Sequence, residues 1–154
     1  MIVAATCLAM AVYHEARGEE PDAQLAVAEV IINRAAHPDF PDTVCGVVTE
    51  HRSPVSRPWA CQFSFYCDGK SDTPHNAEAW QTAQQIAAQA LSGDTLGHGA
   101  THYHTKAVRP VWRHSLTPVG VIGEHIFLSD GKCLLALGCS LRPVARPEGG
   151  EQDD

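Results

Sequence analysis

The chain has 154 residues and a mass of 16.6 kDa, with 44% hydrophobic and 19% charged residues and a formal net charge of −7. That balance excludes wholesale disorder and a nucleic-acid binder working through a basic face. No run approaches the ~20 apolar residues a bilayer span requires, and the length suits one domain able to bury roughly two-thirds of its unfolded surface.

The first predicted element is a helix over residues 3–16, with Val3, Cys7, Met10 and Ala11 at helical spacing and Gly18 as its stop. Met1 to Val12 is apolar but has neither a basic leading region nor a cleavage site, so it reads as a core helix and not a signal peptide. A second helix starts at Pro21, a good first-turn residue, with Asp22 beside the positive helix end. Its apolar stripe is Leu25, Ala28, Val30, Ile31 and Ile32, and it finishes within 33–37, before Pro38. One short helical turn is expected between Phe40 and Val48. Residues 51–74 form a long irregular segment carrying Trp59, Phe63, Phe65 and Tyr66.

A third long helix follows Asp72-Thr73-Pro74, with Ala77, Trp80, Ala83, Ala87, Ala90 and Leu91 on one face and a stop at Ser92-Gly93. Trp80 therefore reads as core. Residues 100–105 alternate like a strand whose mate is 123–128, with 106–120 as the loop between them. Helices first and a strand pair later define an α+β domain over 1–130. Residues 131–154 are expected to be an extension with a solvated acidic tail; four of the seven net negative charges lie after Pro147, on Glu148, Glu151, Asp153 and Asp154.

Six cysteines, Cys7, Cys45, Cys61, Cys67, Cys133 and Cys139, contain no CxxC pair, which argues against a zinc ribbon or a thioredoxin-like couple. Cys61 with Cys67 and Cys133 with Cys139 would each close a short loop. The even number suits a disulfide-supported protein of an oxidising compartment, the alternative being free thiols in a cytosolic one. Fifteen pairings are open.

The densest polar cluster is Tyr13-His14-Glu15-Ala16-Arg17-Gly18-Glu19. Glu15 falls at the C-terminal end of an apolar helix, where the helix dipole and apolar neighbours both disfavour its charged form. A Glu kept protonated is what glycosidic cleavage needs to protonate the leaving oxygen. The competing structural role is pairing with Arg17 or capping a turn.

This motif and Gln24 to Arg34 closely resemble the start of the SleB/CwlJ-type cell-wall hydrolases, which include the spore-cortex-lytic enzymes. Phe40 to Val48, Cys61-Gln62-Phe63-Ser64-Phe65 and Cys67-Asp68-Gly69 resemble the family's middle block. His102-Tyr103-His104, Pro110-Val111-Trp112 and Ile122 to Phe127 resemble its closing block. The resemblance covers residues 7–128 in order. It implies a compact, mostly helical lysozyme-like domain that cuts the β-1,4 bond between N-acetylmuramic acid and N-acetylglucosamine. It also implies that Glu15 is the catalytic acid, and it includes lytic transglycosylases that leave a 1,6-anhydromuramic end. The twelve residues ahead of the motif read as neither the family's usual wall-binding module nor its leader. Extracytoplasmic action, in the periplasm or cell wall, is then reached through a trimmed leader or by another route, such as delivery by a phage.

A lysozyme-type hydrolase needs a second carboxylate, ~5–5.5 Å away for retention or ~6.5–9.5 Å for inversion; the candidates are Glu19, Asp68 and Glu124. The one-Glu transglycosylase reading is preferred, with hydrolysis close behind. Sugar faces stack on aromatics while a few polar groups fix the hydroxyls. Expected substrate-binding residues are Glu19, Gln62, Phe63, Ser64, Tyr103, His104 and Trp112, acting on peptidoglycan glycan strands as a monomer, without cofactor or metal. Among the nine histidines, His102, His104, His114 and His125 resemble a metal-ligand layout and define a rival, a zinc-dependent wall peptidase or amidase. No HExxH helix supports that rival. A non-catalytic glycan-binding module is the third class.

Overall fold

The structure is a computed structural model, described here for residues 3–52 and 58–132. Its elements are α1 (Ala4–Ala16), α2 (Pro21–Ala35), α3 (Val44–Val48), α4 (Ala77–Leu91), β1 (His102–Thr105), β2 (Thr117–Ile122) and β3 (His125–Ser129). Single 3-10 turns occupy Pro58–Ala60, Ser64–Cys67 and Val111–Ser115. This is the mostly helical α+β domain with a small antiparallel sheet that the sequence leads one to expect.

Alanine and valine set the helix packing, because small side chains let helix axes approach closely. On α4 the buried Ala83, Ile86, Ala87 and Ala90 recur at helical spacing and meet Leu8 and Val12 of α1. Asn76 caps α4, its side-chain oxygen accepting from the Ala79 amide at 2.9 Å. Trp80 is packed, partly buried, against this core. A disulfide between Cys7 and Cys45, Cα atoms 5.3 Å apart, ties α1 to α3; a second joins Cys61 and Cys67. The short 61–67 loop is one of the two anticipated pairings, whereas the 7–45 bridge had no signal in spacing. Cys133 and Cys139, like the acidic tail, lie outside the described residues.

Helix α2 is buried on nearly every side because it is the shared wall of two cores. One cluster holds Leu25, Ala28 and Ile31 with α1, α3 and α4; the other holds Ala26, Val27 and Val30 with Ala100 and Phe127. Its polar residues are therefore buried too, and each finds a partner. Glu29 accepts from the amides of Gly97 (2.9 Å) and Gly99 (3.4 Å), Asn33 Nδ2 donates to the Ala100 carbonyl (2.9 Å), and Arg34 Nε donates to the Thr101 carbonyl (2.7 Å). Gly97 and Gly99 have φ of +75° and +67°, which a glycine adopts without strain. These bonds lay residues 97–101 along α2 and so fix where β1 begins.

The sheet corrects one expectation. Residues 106–120 are not simply a loop: 117–122 form β2, giving the strand order β1-β3-β2. β3 pairs antiparallel with both neighbours, and the β2 register shifts between Pro118 and Gly120. Pro118 lacks an amide to donate, and Gly120 has low strand propensity, so the stretch does not read as a strand. The hairpin turns at Gly123, with φ +58°.

Candidate active site

Glu15 occupies the last turn of α1, and its surroundings are set by three neighbours that pin that turn. The Tyr13 hydroxyl accepts from the amides of His75 and Asn76, both at 3.1 Å, tying α1 to the start of α4. The His14 ring stacks on Phe65, centroids 4.4 Å apart, and its Nε2 lies 2.9 Å from the Asp72 carbonyl. Arg17 stacks on the Tyr13 ring at 4.6 Å and does not pair with Glu15. Instead Glu15 Oε1 accepts from the Tyr103 hydroxyl of β1 at 3.2 Å.

The carboxyl lies between two hollows. One, of about 470 Å³, is lined by Glu15, Arg34, Gln62, Phe63, His102, Tyr103 and Trp112. The other, of about 380 Å³, shares Glu15 and includes His14, Ser64 and Asp68. Burial holds the Glu15 carboxyl above the ordinary carboxylate range, against the opposing Tyr103 hydrogen bond and the nearby His14. Burial likewise raises the Tyr103 phenol, so it stays a donor. A desolvated Glu facing open space is a proton donor in waiting.

Tyr103→Phe tests this balance. Its O–H favours ionised Glu15, so removing it raises the Glu15 pKa further. Activity that requires protonated Glu15 falls as pH rises through that pKa. The alkaline limb of the kcat/KM profile is therefore expected at higher pH in Tyr103→Phe than in the parent; an unmoved or lowered limb contradicts the assignment.

The loop bearing Gln62 and Ser64 is held by short pairing: Arg52 N donates to Ala60 O at 2.7 Å and Gln62 N to Glu50 O at 3.0 Å. Phe63 and Phe65 point inward, 2% and 7% exposed, while Gln62 and Ser64 face out. Phe63 thus serves the core as well as the hollow's floor. Trp112 is 41% exposed and packs against His102 and His104, at 5.2 and 5.8 Å.

Five of the anticipated residues, Glu15, Gln62, Phe63, Tyr103 and Trp112, meet in one hollow, and Ser64 joins its neighbour. Two are placed elsewhere. His104 is buried behind Trp112, with Nδ1 2.8 Å from the Thr105 carbonyl. Glu19 sits at the α1–α2 corner, 3.5 Å from His125 Nδ1, and lines a separate hollow with Arg17, Gln24 and Glu78. Arg34 and His102 line the site although neither stood among the anticipated substrate-binding residues. Arg34 had a legible signal: it continues the buried Val27 and Val30 stripe of α2, an unusual place for a cation.

Three of the histidines considered as metal ligands, His102, His104 and His125, have their nearest polar contacts with different residues. His102 Nδ1 lies 2.9 Å from Thr101 Oγ1, His104 faces Thr105, and His125 faces Glu19. Burial and the Arg34 charge hold His102 down to about 4, neutral at neutral pH. Among the described residues, three potential ligand groups converge only at His37, Asp39 and Asp130. There His37 Nδ1 accepts from the Asp39 amide (3.0 Å), His37 Nε2 contacts Asp130 (2.8 Å), and Lys132 bonds Asp39 (2.8 Å). That closed network staples the end of α2 to the end of β3.

The Cell Wall Hydrolase family matches residues 18–128, a stretch that begins just after Glu15. A spore cortex-lytic enzyme from Halalkalibacterium halodurans is 39% identical over 122 residues, which is 78% of this chain and 33% of that protein. The spore cortex-lytic enzyme of Bacillus subtilis is 34% identical over 121 residues, 78% of this chain and 35% of its own length. The chain thus spans about a third of the length of these relatives. Among solved structures, it is similar to the catalytic domain of the germination-specific lytic transglycosylase SleB from Bacillus anthracis. The TM-score is 0.66 at 31% identity, covering 82% of this chain and 93% of that domain. The SleB catalytic domain from Bacillus cereus gives 0.65 at the same identity. By the extent of these matches, the chain belongs to the SleB/CwlJ-type family of cell-wall hydrolases.

Proposed function

We propose that the protein degrades peptidoglycan outside the cytoplasm, cutting the β-1,4 bond between N-acetylmuramic acid and N-acetylglucosamine as a lytic transglycosylase. One observation carries the reading: a half-buried Glu15, hydrogen-bonded by Tyr103, between two hollows large enough for saccharide rings. The relatives' activities support the same class. Glu15 protonates the glycosidic oxygen as the bond to the muramyl C1 breaks. The resulting Glu15 carboxylate then takes the proton of the muramyl 6-hydroxyl, whose oxygen closes on C1 to give the 1,6-anhydro ring. Proton and bonds balance without water, and one Glu serves as acid and then base.

Hydrolysis is the second reading, because Asp68 lines the hollow next to Glu15. Its Oδ1 accepts from the Lys70 amide at 2.9 Å. Glu19 faces His125, and Glu124 is exposed beside the hairpin turn, so neither competes for that role. Digestion of purified peptidoglycan with mass spectrometry of the muropeptides separates the two. Transglycosylation predicts anhydromuramyl ends and Asp68→Asn activity within a few-fold of the parent. Reducing ends, with Asp68→Asn losing about 10²-fold or more, establish hydrolysis instead. Cleaved peptides with intact glycan would overturn both.

A further inference from the structure

Arg34 is an arginine that the fold has buried with no carboxylate paired to it among the described residues. It is 7% exposed, its Nε donates to the Thr101 carbonyl at 2.7 Å, and its guanidinium lies 5.0 Å from the Phe40 ring centre and 5.8 Å from that of Phe63. Among the described residues it makes no ion pair. The Glu50 field reaches it, yet Glu50 Oε1 is itself sealed without a hydrogen bond. The two Arg34 Nη nitrogens are not among the atoms sealed from solvent without partners. Arg34 lines the hollow that also holds Glu15.

A guanidinium remains charged even here. When a sugar fills the hollow it displaces the water over those N–H groups, and an unreplaced partner for a buried charge is costly. The ligand must therefore bring a strong acceptor, a carboxylate or a carbonyl oxygen, to match the fork. Resting on the peptidoglycan reading above, the substrate offers two such groups. The acetamido group occurs on both alternating sugars, whereas the 3-O-lactyl group occurs on the muramyl sugar alone, as a carboxylate or, with a stem peptide attached, as an amide. Glu15 must meet the muramyl C1 rather than its alternate, and only the lactyl group tells the two rings apart. Gln62 and the neutral His102 in the same hollow suit an acetamide, leaving Arg34, the one cation among the described lining residues, for the lactyl oxygen.

We propose that Arg34 binds the lactyl group of N-acetylmuramic acid and thereby sets the register in which the glycan strand lies against Glu15. The test uses the full chain carrying Glu15→Gln, which binds without turning over. It is titrated by NMR with a stem-free tetrasaccharide of alternating N-acetylglucosamine and N-acetylmuramic acid, and with chitotetraose, which lacks lactyl groups. Adding Arg34→Gln should weaken the muramyl tetrasaccharide by about tenfold or more, the loss of a charge-assisted hydrogen bond. Chitotetraose affinity should stay within about twofold, a difference of under ~0.5 kcal/mol. Arg34→Lys keeps the charge without the fork, and should fall between; it carries the comparison if Arg34→Gln does not fold by thermal melt. Equal weakening of both sugars, or of neither, overturns the assignment while leaving the peptidoglycan reading intact. Failure of the Glu15→Gln chain to bind either sugar overturns that reading, and this inference with it.

Discussion

Glu15→Gln is expected to abolish release of soluble fragments from peptidoglycan, with kcat falling by about 10³-fold or more while the fold is retained. General acid–base catalysis by one positioned group supplies about 10²–10⁴, and here the same carboxyl is asked to act in both halves of the reaction. Gln preserves shape and can still accept from the Tyr103 hydroxyl, which now meets Glu15 at 3.2 Å, so thermal unfolding should move little. Burial already opposes ionisation of Glu15, and a neutral amide there removes that opposition. A variant that still clears peptidoglycan suspensions at a tenth or more of the parental rate would remove Glu15 from the chemistry. A chelator that stops the parent while Glu15→Gln stays active would favour the zinc-peptidase class.

The second large effect is on stability. Glu29→Ala is expected to cost about 3–5 kcal/mol, because it orphans two buried donors at about 1–3 kcal/mol each and leaves a void. Glu29 is wholly buried and accepts from the amides of Gly97 and Gly99. His98 does not neutralise it: the His98 Nδ1, 3.5 Å from Glu29, accepts from the Ala100 amide at 2.8 Å, and Nε2 donates to the Ala26 carbonyl at 2.9 Å. That tautomer is neutral, in line with the burial that lowers its pKa. Denaturant unfolding measures the loss; a change below about 1 kcal/mol would show that the 97–101 segment is held by other means.

The same neutral imidazoles fix a pH dependence. For His98, His102 and His125 the native pKa lies below the unfolded value near 6.5, with burial as the leading cause. Below that pH the unfolded chain binds protons that the native state resists. Stability is therefore expected to be full above about pH 6.5 and to decline as the pH falls toward the His102 value of about 4. Melting temperatures across that window should fall with acidification; a rise would mean that these rings gain charge on folding.

The helices were legible because their apolar spacing and their stops at Gly18 and Ser92-Gly93 agree with the packing. Glu15 was legible as a candidate because an acid at the end of an apolar helix conflicts with its setting, and such conflicts are where functional sites are sought. Alternation across 62–65 puts Phe63 and Phe65 on one side and Ser64 on the other; that Phe63, expected against substrate, would also be buried in the core was not legible from it. What escaped was long-range. The Cys7–Cys45 bridge, the pairing of β2 across Pro118 and Gly120, and the all-round burial of α2 depend on which element packs beside which. His104 followed the strand's alternation yet lies behind Trp112, since the turn over Val111–Ser115 folds the tryptophan across it.

Carbon-13 NMR titration of the Glu15 side-chain carboxyl, assigned by its disappearance in Glu15→Gln, measures the protonation on which the mechanism depends. An inflection above the ~4.3 of an unperturbed Glu, moving upward in Tyr103→Phe, is the expected result. An inflection at or below that value would mean the carboxyl is already ionised where a proton donor is required.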